Sequence, residues 1–294
     1  MTHPLRNHGR SHVSGIAIVT DSTSYIPPDL VRKYGLHVAP QILIWGEKTL
    51  RDGIDIMPDD FYARLKTASV MPTTSQVTIA YFKELFEKLA GEGMQILALL
   101  VSSKLSGTIS SAVQAKELLP KAEIEIVDSY GTAMALGFQV LAAARAAEAG
   151  KTLAQVAEIA RSGPAHTGIV FTVETLEFLH RGGRIGGAAR LLGTALNLKP
   201  VLELVDGRIE PVERVRTKAK ARARLLEIVA ERVKGKPNLR LSTIHAAAAG
   251  EAAELLEEAS RLLNPIEAFP SVASPVVGNH AGPGTVGLAY STDL

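Results

Sequence analysis

The chain has 294 residues, of which 46% are hydrophobic and 21% charged, and it contains no cysteine. The lack of cysteine excludes a disulfide scaffold, a cysteine-held metal cluster and a cysteine nucleophile, and it is compatible with a reducing cytoplasm. The net charge of +2 does not by itself indicate a nucleic-acid or membrane-surface protein. Apolar runs are too short for a transmembrane segment, so we expect a cytoplasmic protein.

Length and element order predict two α/β domains. Residues 1–14 are interpreted as a disordered lead-in, because their histidines and arginines lack the apolar middle of a signal peptide. The N-terminal domain is placed at residues 15–164 and a smaller C-terminal α/β domain at 165–294. The boundary rests on Ser162-Gly163-Pro164, which should end a helix after a complete α/β series.

In the first half, short aliphatic runs alternate with helical periodicity, which predicts a Rossmann-like domain with a mainly parallel sheet. The predicted strands are Ile16–Thr20, Leu36–Trp45, Ile96–Val101 and Glu123–Val127. Helices are predicted from Pro27-Pro28 and at Pro58–Thr67, Ile79–Ala90, Ser106–Leu119, Thr132–Ala149 and Leu153–Arg161. The second half is predicted as strands Gly168–Val173, Pro200–Val205, Arg208–Val215 and Arg240–His245, helices Lys218–Val233 and Glu251–Leu263, and a glycine-rich end.

Three hydroxyl-rich segments follow strands or precede helices: Val19–Thr23, Met71–Gln76 and Ser102–Thr108. Hydroxyls and free N–H groups at a helix start bind oxyanions, and Gly107 allows the backbone to approach a ligand closely. Each segment alone is equally compatible with an ordinary helix cap or turn. Together the three favour a shared site for an anionic ligand.

Two glycine-rich segments, His180–Gly187 and Gly278–Gly287, are less specific. The arginines of the first suit a carboxylate or phosphate, although a structural turn explains them equally well. The second contains G-x-G-x-x-G but ends too near the C-terminus for a dinucleotide fold. His280, expected on a flexible loop, either hydrogen-bonds a ligand or ties down the loop, and no acid partner for a serine–histidine triad can be named.

A basic run extends from Arg208 to Arg224 and is opposed in sequence only by Glu210 and Glu213. A solvated face is the default interpretation. Because aromatic residues are scarce, a protein partner is favoured over nucleic acid.

These segments, in this order, resemble the DegV family of bacterial fatty-acid-binding proteins, which includes the carrier subunits of fatty acid kinase. The resemblance extends from Val19 to Gly284 and rests on Val19–Thr23, Asp52–Ile56, Pro72–Gln76, Leu105–Thr108, Val127–Ser129, Gly182–Ile185, Lys199–Leu202, Arg216–Lys218 and His280–Gly284.

The resemblance implies a two-domain DegV-like fold that holds one long-chain fatty acid between its domains, with the acyl chain in an apolar tunnel. No cofactor and no metal are implied beyond this ligand. By motif, Thr74 and Ser106 should bind the carboxylate, with Ser75, Gly107 and His280 in the nearby hydrogen-bond network.

The resemblance also implies a non-catalytic carrier that presents its fatty acid to a separate ATP-dependent kinase subunit. Arg214, Arg216 and Lys218 match the basic surface used for docking that subunit. The alternatives are a small-molecule hydrolase or phosphotransferase that uses the same oxyanion-binding loops, and a nucleic-acid-binding regulator.

Overall fold

The computed structural model describes residues 15–193 and 198–294, and the predicted lead-in at 1–14 lies outside these residues. The strands are β1 (Ile16–Asp21), β2 (His37–Ala39), β3 (Ile42–Trp45), β4 (Lys48–Arg51), β5 (Thr73–Ser75), β6 (Gln95–Leu100), β7 (Ile124–Asp128), β8 (Thr167–Thr172), β9 (Lys199–Val205), β10 (Arg208–Val215), β11 (Arg240–His245), β12 (Glu267–Val272) and β13 (Val286–Ser291). The α-helices are α1 (Pro28–Lys33), α2 (Pro58–Leu65), α3 (Ile79–Gly91), α4 (Thr108–Glu117), α5 (Ala133–Glu148), α6 (Leu153–His166), α7 (Glu177–Arg181), α8 (Lys218–Val233), α9 (Ala249–Leu263) and α10 (Pro275–Ala281).

The first sheet is parallel, with the strand order β2-β1-β6-β7. Its central strand β6 is aliphatic and buried from Ile96 to Leu100, as expected where helices cover both faces of a parallel sheet. The predicted Rossmann-like parallel arrangement is confirmed.

The second sheet has six strands in the order β10-β9-β8-β13-β11-β12 and is antiparallel except for the β11–β12 pair. The glycine-rich end, for which the sequence predicted no helix or strand, contains regular elements. Residues Val286–Ser291 form the central strand β13, all of them buried, and β12 and α10 precede it. Gly287 fits there because β8 is close: a Cβ at this position would lie 2.9 Å from Phe171 Cβ.

A small antiparallel sheet, β4-β3-β5, lies beside the first. The single strand predicted at Leu36–Trp45 is split at Pro40-Gln41, so that β2 joins the parallel sheet and β3 the small one. Proline supplies no N–H for a ladder, which favours a break at this point. The predicted loop around Thr74 is instead strand β5, and its pairing places Thr74 opposite Leu43.

Helix α6 does not end at Ser162-Gly163-Pro164 but continues to His166, so the predicted helix end was wrong. Pro164 lies in the last turn, so its missing N–H removes one i→i−4 hydrogen bond close to the end of the helix. Gly163 allows α6 to pack closely on α5, since a Cβ there would lie 2.6 Å from Gln139 Oε1. The chain passes directly from α6 into β8 of the second sheet. Because α5 contacts strands of both sheets, the division after residue 164 stays a prediction.

Candidate functional site

A mainly apolar cavity lies between the first and second sheets. The volume that the centres of water molecules could occupy in this cavity is about 110 Å³. One buried water needs only about 10–15 Å³ of such volume. The space therefore admits a ligand much larger than water. The apolar lining comes from the loop after β6 and from α7, β8–β11 and α10, and includes Leu105, Ile169, Phe171, Leu179, Leu204, Ile209, Ile244 and Val276.

Thr74, Ser75, Ser106 and His280 all line this cavity, although they come from distant parts of the chain. Gly107 is not among the lining residues. A Cβ there would lie 3.0 Å from Gln76 Nε2, so Gly107 instead lets the Gln76 amide pack against the start of α4.

Thr74 and His280 form a hydrogen-bonded pair, with 2.8 Å between Thr74 Oγ1 and His280 Nε2. His280 lies in α10, which Ser274 caps by accepting from the Val277 N–H, so the expected flexible loop was wrong. With the imidazole hydrogen on Nε2, His280 donates to Thr74 Oγ1. The Thr74 hydroxyl then keeps its own hydrogen for a ligand.

The His280 ring is held neutral. Burial lowers the pKa of His280 to about 4, and the positive charge of Arg184 adds to the effect. His280 Nδ1 is buried and has no hydrogen-bond partner among residues 15–193 and 198–294. A Cβ at Gly182 would lie only 2.1 Å from this nitrogen, so the glycine-rich segment provides the space in which the ring fits.

Ser106 precedes α4, which begins at Thr108 and not at Ser106 as predicted. Thr108 Oγ1 accepts a 2.8 Å hydrogen bond from Gln41 Nε2 and lies 2.8 Å from Ser106 Oγ. Thr108 is thus free to donate its hydroxyl hydrogen to Ser106, which also accepts from the Thr108 N–H at 3.3 Å. Ser106 therefore receives two donors and retains its own hydrogen for the cavity.

The contacts of Ser106 and His280 also decide whether Ser106 has a base beside it, as a catalytic nucleophile requires. Ser106 contacts the hydroxyl of Thr108, and the imidazole of His280 contacts Thr74 instead. A serine nucleophile needs a base within hydrogen-bond reach, which this arrangement does not give Ser106. Both hydroxyls are arranged as donors to an acceptor in the cavity.

Thr23 and Arg184 lie in candidate segments of the sequence but were not named as site residues, and Gln41 was not selected at all, although all three line the cavity. Arg184 Nε donates to Leu105 O at 2.9 Å and Nη1 to Gly182 O at 2.7 Å, so it joins the two loops next to the site. The arginine–glycine alternation was a usable signal for Arg184. No local pattern marks Gln41, whose role depends on Thr108, which lies 67 residues away in the chain.

The hydroxyl-rich segment after β1 has a mainly structural arrangement. Asp21 caps the turn that follows by accepting from the Thr23 N–H at 3.0 Å, and it accepts from the Val101 N–H at 2.7 Å. The Ser22 hydroxyl donates to the buried Asp52 carboxylate at 2.8 Å. Burial raises the pKa of Asp21 and raises that of Asp52 to about 7, against the lowering effect of these hydrogen bonds.

The basic run is less positive than its sequence suggests, because glutamates from other elements pair with it. Lys218 lies 2.7 Å from Glu174, and Arg222 lies 2.5 Å from Glu254. Arg214 and Arg216 make no ion pair among the described residues.

Two further features are absent from the described residues. These residues contain no group of three or more histidine, aspartate or glutamate residues placed to hold a metal ion. None of their helices combines the length and hydropathy that crossing a bilayer requires.

Comparisons with known proteins bear on the family and the fold of the chain. The sequence model of the DegV family, described as an uncharacterised protein family, matches residues 15–293. A DegV domain-containing protein of Streptomyces coelicolor is 39% identical over 279 residues, which cover 94% of this chain and 98% of that protein.

Solved structures match over nearly the whole chain. A fatty-acid-binding DegV family protein from Thermus thermophilus has a TM-score of 0.90 at 34% identity, with 95% of this chain and 99% of that one covered. A stearic acid-binding protein from Eubacterium ventriosum has a TM-score of 0.87 at 25% identity, with 94% and 98% covered.

Proposed function

The chain belongs to the DegV family, and from this premise we propose that it binds a single long-chain fatty acid in the cavity between its sheets. The carboxylate lies against the hydroxyls of Thr74 and Ser106, and the acyl chain follows the apolar lining. The observation that carries this proposal is that both hydroxyls line one mainly apolar cavity, where each can donate its hydrogen when its neighbour, His280 or Thr108, donates to it.

The chemistry of the cavity suits a carboxylate with a long apolar tail. Hydroxyl donors to an ionised carboxylate form short, charge-assisted hydrogen bonds. Neutral His280 orients Thr74, while Arg184 supplies a nearby positive charge. Each buried methylene contributes about 0.8 kcal/mol, so a chain of about 16 carbons gains on the order of 10 kcal/mol before ordering costs are subtracted.

In this proposal the protein is a carrier and a separate subunit does the chemistry. A carboxylate oxygen of the bound fatty acid attacks the γ-phosphorus of ATP on the kinase subunit, the bond to ADP breaks, and acyl phosphate and ADP are formed. The proposal places the protein in the cytoplasm, where ATP is available. The carrier binds the acyl chain and orients the carboxylate.

We assign kinase docking to the basic surface at Arg214, Arg216 and Lys218. Arg214 and Arg216 carry the free positive charges of this surface, since Lys218 is paired with Glu174. Docking should therefore weaken with rising salt, and charge reversal at Arg216 should slow phosphorylation more than reversal at Lys218.

The proposal is tested with purified protein and palmitate. Native mass spectrometry should show one fatty acid per chain, and Thr74→Ala/Ser106→Ala should weaken palmitate binding about 10- to 100-fold, because two donors to a charged group are lost. Thr73→Ala/Ser103→Ala is the matched control, because it removes two exposed hydroxyls from the same strand and loop. Failure to bind any fatty acid, or equal affinity in the two double variants, would contradict the proposal.

A further inference from the structure

A second, more open cavity adjoins the first and shares Leu105, Arg184 and Ile209 with it. It offers about 510 Å³ to the centres of water molecules. Besides Arg184, its charged lining residues are Lys104, Arg208 and Glu210. The proposed fatty-acid site uses only the shared wall of this cavity.

One buried hydroxyl joins the two backbone segments that carry Lys104 and Arg208, the cations outside the shared wall. Ser102 is fully buried, and its Oγ donates to Gly207 O at 2.9 Å and accepts from the Lys104 N–H at 3.1 Å. Gly207, with a φ of +77°, leaves no room for a side chain, since a Cβ there would lie 2.2 Å from Ser102 Oγ. The loop that carries Lys104 is thereby joined to the β9–β10 turn that carries Arg208.

The positive charge of this cavity is not neutralised within the described residues. Lys104 and Arg208 make no ion pair with any of the described residues. The Arg184 side chain donates its hydrogen bonds to two backbone carbonyls. The one lining carboxylate, Glu210, already lies 3.5 Å from Arg190. The rest of the basic run, beyond Arg208, differs, since Lys218, Arg222 and Arg224 pair with glutamates.

We propose that this cavity binds a phosphoryl group, and that its physiological occupant is the phosphate of the acyl phosphate formed on the bound fatty acid. The inference rests on the proposed function for the identity of that occupant. Arg184 lies in the wall common to both cavities, so a phosphoryl group attached to the carboxylate beside Ser106 extends towards Lys104 and Arg208. Lysine and arginine are well suited to bind a phosphate dianion. The carrier thus retains its activated product after the kinase subunit leaves.

The test compares palmitate with a ketophosphonate in which a methylene replaces the bridging oxygen of palmitoyl phosphate. Lys104→Ala/Arg208→Ala should weaken ketophosphonate binding about tenfold, as expected for two exposed charges on a dianion, and change palmitate binding less than about twofold. Arg214→Ala is the control, because Arg214 is also an exposed arginine of β10 but lies outside the cavity lining. Equal losses for both ligands, no loss, or the same loss in Arg214→Ala would overturn the inference.

Titration with inorganic phosphate separates this inference from the proposed function. Phosphate should shift the amide NMR signals of Gly183, Gly186 and Gly187, which line the cavity, and the double variant should abolish the shift. If phosphate acts in this way but palmitate does not bind, the phosphoryl site stands, and the acyl phosphate and the proposed function are both refuted. If palmitate binds but neither phosphate nor the ketophosphonate responds to the variant, only the inference fails.

Discussion

Two polar clusters differ in whether their hydrogen bonds leave a group free for a ligand: the buried pair Asp21 and Asp52, and the partly buried pair Thr74 and Ser106. Asp21 and Asp52 accept hydrogen bonds from their own chain, both Asp21 oxygens from backbone N–H groups and one Asp52 oxygen from the Ser22 hydroxyl. Thr74 and Ser106 also receive donors, but each retains a hydroxyl hydrogen that the cavity can accept. Hydroxyl-rich loops that look alike in sequence thus divide into a structural cluster and a ligand-facing cluster.

The largest effect is expected for a substitution that disrupts only the structural cluster. Asp21→Ala leaves the N–H groups of Thr23 and Val101 buried without a partner, so we expect a loss of about 2–4 kcal/mol in the free energy of unfolding. Urea denaturation measures this loss. Asp29→Ala, which removes an exposed carboxylate, is the control and should leave the midpoint unchanged. A loss in Asp21→Ala no larger than in the control would show that the two clusters do not differ as described.

The contributions of the two clusters to stability should change with pH in opposite directions. Asp52 represents the structural cluster. Burial raises the pKa of Asp52 from 3.8 to about 7, so the folded protein holds a proton that the unfolded chain releases. The contribution of Asp52 to the free energy of unfolding is therefore present in acid and is lost as pH rises towards 7. The stability advantage of wild type over Asp52→Asn should therefore fall between pH 4 and 7, by on the order of 2 kcal/mol. An advantage that rises over this range would contradict the assignment.

His280 should give the opposite slope. Burial lowers the pKa of His280 from 6.5 to about 4, so protonation favours the unfolded chain. The stability advantage of wild type over His280→Gln is present above pH 6.5 and should be lost as pH falls towards 4, again by on the order of 2 kcal/mol. Thermal or urea unfolding across this range measures both slopes. A flat difference would mean that the His280 ring is not held neutral by burial.

A smaller effect, on palmitate affinity, is expected for a substitution next to the ligand-facing cluster. Gly182→Ala places a Cβ against His280 Nδ1, so the ring must shift and its hydrogen bond with Thr74 is disturbed. Palmitate affinity should fall about tenfold, because the oriented donor is lost. Gly250→Ala, in open space on α9, is the matched control and should bind as wild type does. Full affinity in Gly182→Ala would show that the Thr74–His280 pair does not orient the carboxylate site.

Elements whose signals are local were predictable from the sequence. Helix α8 and strand β10 have their predicted bounds, because apolar spacing and turn residues mark them. Strand β5 was not predictable, since its three residues are defined by pairing with β3, about 30 positions earlier. Strand β13 was missed because Gly287 and Ala289, small residues without a strand pattern, are favoured there by close packing in the sheet centre.

The candidate site likewise contains residues that could be predicted from the sequence and residues that could not. The hydroxyls of Thr74 and Ser106 could be selected because they lie in segments with recognisable composition. The roles of Gln41 and Arg184 depend on tertiary contacts with Thr108 and Leu105, which no sequence spacing encodes. The pairing of Lys218 with Glu174 is likewise a product of the fold.

The most direct test of the central claim is a crystal structure of the protein with bound palmitate. The account predicts carboxylate oxygens within hydrogen-bond distance of Thr74 Oγ1 and Ser106 Oγ, with the acyl chain between the two sheets along Ile169, Phe171 and Ile244. An acyl chain in the reverse direction, or a fatty acid bound outside this cavity, would contradict it.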